Sequence, residues 1–199
     1  MVATSRPEWP VNSQKPNRWR PPSNTTLSAT AYLGEREFER FKIDLVVESN
    51  MTAEPEYVSP LKPVEIAGLR SVPYLVYPLV DHIADKHAAM LDDYRGRPST
   101  RYRDLVDLAI IASTESVGGT ALSTALYSEY EHRLIQAPTA VTLPSSDWIP
   151  GYVKVAKSIT NLPQRTAHEA LELVGKLLNP ILAGRETGTW IPAESHWVD

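Results

Sequence analysis

The sequence predicts an α+β protein, a small sheet-bearing front joined to an all-helical back. In the run Glu37–Glu48, Phe41, Ile43, Leu45 and Val47 alternate with Lys42, Asp44, Val46 and Glu48. That is the period-2 pattern of a half-buried strand. Beyond Leu79 the apolar residues recur three and four apart instead, the spacing of one helical face. Proline and glycine clusters separate these periodic stretches into elements of ordinary length.

Taken in order, residues 1–26 form a proline-rich arm. Pro7, Pro10, Pro16, Pro21 and Pro22 block helix interiors and strand ladders there, and Trp9 and Trp19 accompany three arginines. An α/β part is expected over residues 27–95. Its first regular element is the strand Glu37–Glu48, then a loop with Pro55, Pro60 and Pro63, then a second β-prone run, Ser71–Tyr77. Pro78 suits a first helical turn, so a helix is expected from Leu79 to about Tyr94, broken by Arg95-Gly96-Arg97-Pro98. The helical part covers 96–199. Ser99 or Thr100 is expected to cap a helix over about 101–113. Gly118-Gly119 precedes another over 120–134, and the three prolines of 137–150 indicate a loop. A short helix over 152–159 and a longer one over 163–182 follow, the latter with Leu171, Val174, Leu178 and Ile181 on one face. The tail after Gly184, with Trp190 and Trp197, is expected to pack back on the helices.

Composition narrows the function classes. The 199 residues are 42% hydrophobic and 22% charged, as in an ordinary globular domain, and the net charge of −4 gives no footprint for duplex nucleic acid. Zero cysteines exclude disulfides and thiolate metal sites. No apolar run approaches the ~20 residues of a membrane span, and residues 1–20 hold no signal-peptide core, so a cytoplasmic protein is expected. The five histidines show no metal-ligand spacing.

Three residues could carry chemistry. Asp44 lies on the polar face of its strand; alone it reads as a solvent-facing carboxylate, and functionally as an oxygen ligand for Mg²⁺. Lys86 stacks with Leu79, Ile83 and Met90, along the edge of an apolar stripe. Its ammonium can snorkel to solvent or sit in a cleft as a point charge for a triphosphate. Asp104 falls between Leu108 and Ile111 on an inward face, where a carboxylate is costly unless paired. A structural ion pair with Arg101 or Arg103 accounts for it, as does a role beside Lys86. Asp107 lies further round and reads as structural. Arg95, Arg97, Arg101 and Arg103 crowd the start of the Asp104 helix, a solvated turn or a phosphate-binding cluster.

The run YPLVDHIADKHAAML followed by RYRDLVDLAIIA resembles the signature region of the AbiEii/AbiGii toxin nucleotidyltransferases. In that family an "AdKl-A" helix carries the active-site lysine and an "RDLvDL" pattern an active-site aspartate, positions that fall on Lys86 and Asp104. The family's strand carboxylate falls on Asp44, in FKIDLV. Downstream, ALYSEYEHR, LLNPILAG and GTWIPAESHW are similar to its helical C-terminal domain, so the resemblance runs from about Phe38 to the end. It implies a small nucleotidyltransferase-like mixed sheet, truncated, before a helical bundle. It implies a type IV toxin–antitoxin or abortive-infection toxin that moves a nucleotide from an NTP to an acceptor such as a tRNA 3′ end. Lys86, Arg101 and Arg103 would hold the nucleotide, Asp44 would serve the Mg²⁺ site, and a cognate antitoxin would be the protein partner.

One departure sets the expected activity. The family opens with a Gly-Ser turn and a D-x-D pair, and no Asp precedes position 44 here. The Gly118–Leu126 run GGTALSTAL echoes the Gly-Ser turn but follows the aspartate helix, with no D-x-D behind it. Transfer is therefore expected to be crippled unless an upstream start restores the front. The competing class is a non-catalytic interaction protein built on the rear half of the fold.

Overall fold

The computed structural model describes residues 24–46, 49–62, 71–93, 96–185 and 187–199. It is an α+β protein whose strands pair antiparallel in small sheets and whose helices share one core. Of the arm expected over residues 1–26, residues 1–23 lie outside the described residues, as do Val47, Glu48, Pro63, Tyr94 and Arg95, while Asn24, Thr25 and Thr26 open the first strand instead.

Strands β1 (Asn24–Leu33) and β2 (Arg36–Val46) form a hairpin closed at Gly34, whose φ of +64° glycine adopts without a Cβ penalty. The register pairs Thr25 with Leu45, Leu27 with Ile43 and Ala29 with Phe41 on one face. Thr26 with Asp44, Ser28 with Lys42 and Thr30 with Arg40 occupy the other. β1 was missed as an element because its alternating residues are mostly Thr, Ser and Ala, which carry little hydrophobic contrast. The strand expected to be half-buried is exposed on both faces, with Phe41 50% and Ile43 40% accessible. Each hairpin strand finds its extensive packing in the other. β3 (Glu56–Val58) and β4 (Tyr74–Val76) form a second exposed antiparallel pair.

The helices are α1 (Leu79–Leu91), α2 (Tyr102–Thr114), α3 (Gly119–Arg133), α4 (Trp148–Ala156) and α5 (Ala167–Leu182). α1 packs on α3 and α2, and α2 packs in turn on α4 and α5. The α2 N-cap is Arg101 rather than Ser99 or Thr100; Ser99 Oγ instead accepts from the Arg101 N–H at 3.3 Å. α5 begins at Ala167 and not near Pro163, because Thr166 and Glu169 form a reciprocal capping box. No helix among the described residues is long and apolar enough to cross a membrane.

Three tryptophans pin the chain to the bundle by donating to backbone carbonyls, the rings of Trp148 and Trp190 buried and that of Trp197 partly buried. Trp148 Nε1 donates to Ser99 O at 2.8 Å, Trp190 Nε1 to Ala112 O at 2.9 Å and Trp197 Nε1 to Leu177 O at 3.1 Å. The tail thus packs back as expected, its strands β6 (Thr189–Ile191) and β7 (His196–Val198) extending β5 (Val117–Gly118) into a three-stranded sheet. In α4, Gly151 lies against the Tyr102 ring, which is edge-on to Trp148 at 5.2 Å. A Cβ there would sit 2.5 Å from the Tyr102 ring, which Trp148 prevents from yielding. Gly151→Ala should therefore destabilise the fold by about 1–3 kcal/mol, read as a lowered urea midpoint.

Candidate functional site

Lys86 and Asp104 meet where α1 crosses α2. The 3.6-residue period carries Lys86 to the inner edge of α1 and Asp104 to the inner face of the first turn of α2. Both are buried, at 9% and 5% accessible. Lys86 Nζ lies 2.6 Å from Asp107 Oδ2 and 3.4 Å from Asp104 Oδ1. Arg101 Nε approaches Asp104 Oδ2 at 2.8 Å, an ion pair across the first turn of α2. Two cations therefore face two carboxylates. Burial pushes the Asp104 carboxyl up from its ordinary range, while Arg101 and then Lys86 pull it back.

The closest partner of Lys86 is Asp107, the residue read as structural from the sequence. One turn beyond Asp104 on α2, it remains partly open to solvent and reaches the lysine from the side. Its signal was the repeated Asp of RDLVDL, whose i, i+3 spacing places both carboxylates against one neighbour. Arg101 is half-exposed at the mouth, and Arg103 is exposed on the same first turn. His82 stands one helical turn before Lys86, edge-on to Tyr77 at 6.3 Å. Burial, and then the Lys86 charge, lower its pKa. An open cavity of about 620 Å³ begins there, bordered by Glu54, Tyr77, Pro78, His82 and Glu115.

Asp44 stands apart from this cluster. Its carboxylate accepts from Thr26 Oγ1 at 2.7 Å across the exposed hairpin, and no described contact links it to Lys86. Among the described residues, no group of three or more His, Cys, Asp or Glu is placed to hold a metal ion. The carboxylates beside Lys86 are already matched by cations, and Asp44 offers one ligand. These described residues do not fit a chain-held Mg²⁺ site.

Two further polar clusters brace α1. Asp81, buried in its first turn, accepts from Thr52 N at 2.9 Å, Thr52 Oγ1 at 2.7 Å and Ala53 N at 3.1 Å, fastening the chain that leads to β3. At the other end, Arg133 of α3 bonds Glu129 at 2.5 Å, Asp92 at 2.7 Å and Asp85.

His87, fully buried, shares a 2.6 Å hydrogen bond with the Tyr130 hydroxyl, and burial lowers its pKa from 6.5 to about 4. Between those values the unfolded chain binds the proton and the folded chain does not. The stability this neutral ring contributes is full above about pH 6.5 and falls as the pH drops toward 4. The shift corresponds to about 3 kcal/mol at most. His87→Phe should flatten that loss relative to the parent in urea melts between pH 7 and pH 4.

The family described as nucleotidyl transferase AbiEii toxin, type IV TA system, matches residues 8–173. No curated protein matches the chain. The family match spans both α1 with Lys86 and α2 with Asp104 and Asp107, as well as the hairpin with Asp44. The chain therefore belongs to the AbiEii family of nucleotidyl transferase toxins of type IV toxin–antitoxin systems.

Proposed function

We propose that the Lys86 cluster is the nucleotide side of a nucleotidyl transfer site, acting on an NTP with an acceptor such as a tRNA 3′ end. The observation that carries this reading is the Lys86 ammonium, held at the crossing of α1 and α2 by Asp107 and Asp104 within the RDLVDL helix. A compact ammonium fixed by two carboxylates is positioned to take a triphosphate as a point charge. Arg101, and Arg103 at the exposed start of α2, would add contacts to phosphate oxygens. Asp104 and Asp107 act as positioning residues for the lysine. In the reaction the acceptor hydroxyl oxygen bonds to the α-phosphorus, the bond from that phosphorus to the bridging oxygen breaks to release pyrophosphate, and the hydroxyl proton passes to solvent. These residues contribute placement and charge neutralisation. The family implies Mg²⁺ with the NTP, and Asp44 is the residue the resemblance assigns to it. The protein partner on this reading is a cognate antitoxin, met in the cytoplasm.

The rate is expected to be very low. Phosphoryl transfer with two metals needs carboxylates that clamp both ions, and among the described residues Asp44 stands apart from the Lys86 cluster with no metal-holding group around it. Losing even one well-placed electrostatic group costs about 10²–10³ in rate. The same feature, with the exposed apolar face of the β1–β2 hairpin, favours a second reading, a non-catalytic protein that binds a partner. The test incubates purified protein with Mg²⁺, labelled NTPs and total tRNA, alongside equilibrium NTP binding. NTP binding that disappears in Lys86→Ala, with transfer near background, is the expected result. Robust labelling abolished by Lys86→Ala would overturn the crippled core. Absence of NTP binding would leave the interaction-protein reading.

A further inference from the structure

On the surface of α5, His168, Glu172, Gly175, Lys176 and Asn179 recur three and four apart along one stripe. They line an open groove of about 660 Å³ whose other wall is the C-terminal tail, with Ser195, His196 and Trp197. Roughly 300–1,000 Å³ is the usual volume of a small-ligand pocket. Gly175 keeps the floor low, since a Cβ there would already meet Asn179 Nδ2 at 2.9 Å. Trp197 is partly exposed and fixed, its Nε1 bonded to Leu177 O and its ring edge-on to Trp190 at 5.7 Å. Lys176 and Arg185 supply permanent positive charge, His168 supplies an imidazole, both ring nitrogens of His196 face Glu194, and Glu172 is the lining carboxylate. Its 3.1 Å pair with Lys176 is fully on the surface, where such pairs are weak and exchange readily.

We propose that this groove holds a short stretch of single-stranded nucleic acid, with a base stacked on Trp197 and the adjoining phosphates on Lys176 and Arg185. A fixed aromatic ring beside a cationic track is the recurring chemistry of single-strand binding, because every base has a π-face and every linkage a negative charge. Ser195 and Asn179, which also line the groove, offer a hydroxyl and an amide N–H₂ that bond sugar and base edges. The chain as a whole carries −4, so the attraction is local to the groove and not a property of net charge. The site lies on α5 and β7, apart from Lys86, and does not depend on the transfer reading.

The test is fluorescence anisotropy of the full chain with a labelled single-stranded RNA of about 8 nucleotides. The parent should bind, with affinity falling as salt rises. Lys176→Glu with Arg185→Glu, both exposed, should weaken binding by about 10-fold or more with unchanged thermal melting. Lys154→Ala, an exposed cation of α4 outside the groove, should leave the affinity unchanged. An abasic strand of equal length should bind several-fold more weakly, since stacking is lost while charge is kept. Binding unaffected by the charge reversal, or absent in the parent, would overturn the proposal. So would an abasic strand, or an acidic peptide of matched charge, that binds as well as the RNA.

Discussion

Replacing Arg133 with alanine is expected to cost the fold about 3–5 kcal/mol, the usual result of stripping one partner from a buried ion cluster. The Arg133 side chain is 6% accessible and gives each face of its guanidinium fork a different carboxylate. Nε reaches Glu129 within α3, Nη1 crosses to Asp92 at the C-cap of α1, and Nη2 crosses to Asp85 in the middle of α1. Asp92 and Glu129 are themselves buried, and burial already raises the Asp92 carboxyl despite the arginine. Truncation therefore leaves buried carboxylates with their main counter-charge removed, at the most extensive helix contact in the bundle, α1 on α3. Lysine keeps the charge but lacks the fork, so Arg133→Lys should fall between parent and alanine. Urea unfolding at neutral pH measures both. A loss under about 1 kcal/mol in the alanine variant would mean the cluster is solvated like a surface pair.

The helical half of this fold was legible because each helix buries a stripe, and a buried stripe writes its period into the sequence. α1, α2, α3 and α5 all begin and end close to where that period and the Gly and Pro punctuation place them. α4 was the exception. Its first turn, Trp148–Gly151, reads as loop from Pro150 and Gly151, yet proline is tolerated in a first turn and the glycine serves the Tyr102 ring. The hairpin shows the converse. β2 displayed a strand period that implies a covered face, while among the described residues that face is open. Alternation reports which side chains share a face, not what lies on it. The site followed the same division. Lys86 and Asp104 betrayed themselves as charges on inward faces. Asp107 and Arg133 did not, because their significance comes from partners on other helices, and one-dimensional spacing carries no such distance.

The second large effect is expected at Lys86, and its sign can be set against Asp107. Among the described residues, the ion pairs around the ammonium set Lys86 and Arg101 against Asp104 and Asp107. Lys86→Ala leaves two carboxylates facing one arginine, so an incoming triphosphate meets a net negative site. NTP affinity should fall by at least about 10-fold, and any residual transfer by about 10²–10³. Asp107→Asn moves the balance the other way. It removes the closest competitor for the ammonium, 2.6 Å away, while Asp104 and the asparagine amide oxygen still hold the lysine in place. NTP should then bind more tightly than to the parent. Because Asp107 is partly exposed, its loss should cost little stability, about 1 kcal/mol or less. Asp104→Asn differs again, since that carboxylate is buried against both cations and its loss strands them, so it should weaken the fold more than Asp107→Asn does. Isothermal titration with NTP, paired with a melt of each variant, separates these outcomes. If Asp107→Asn lowers NTP affinity as much as Lys86→Ala does, Asp107 contacts the nucleotide or its metal directly and is not merely the lysine's counter-charge.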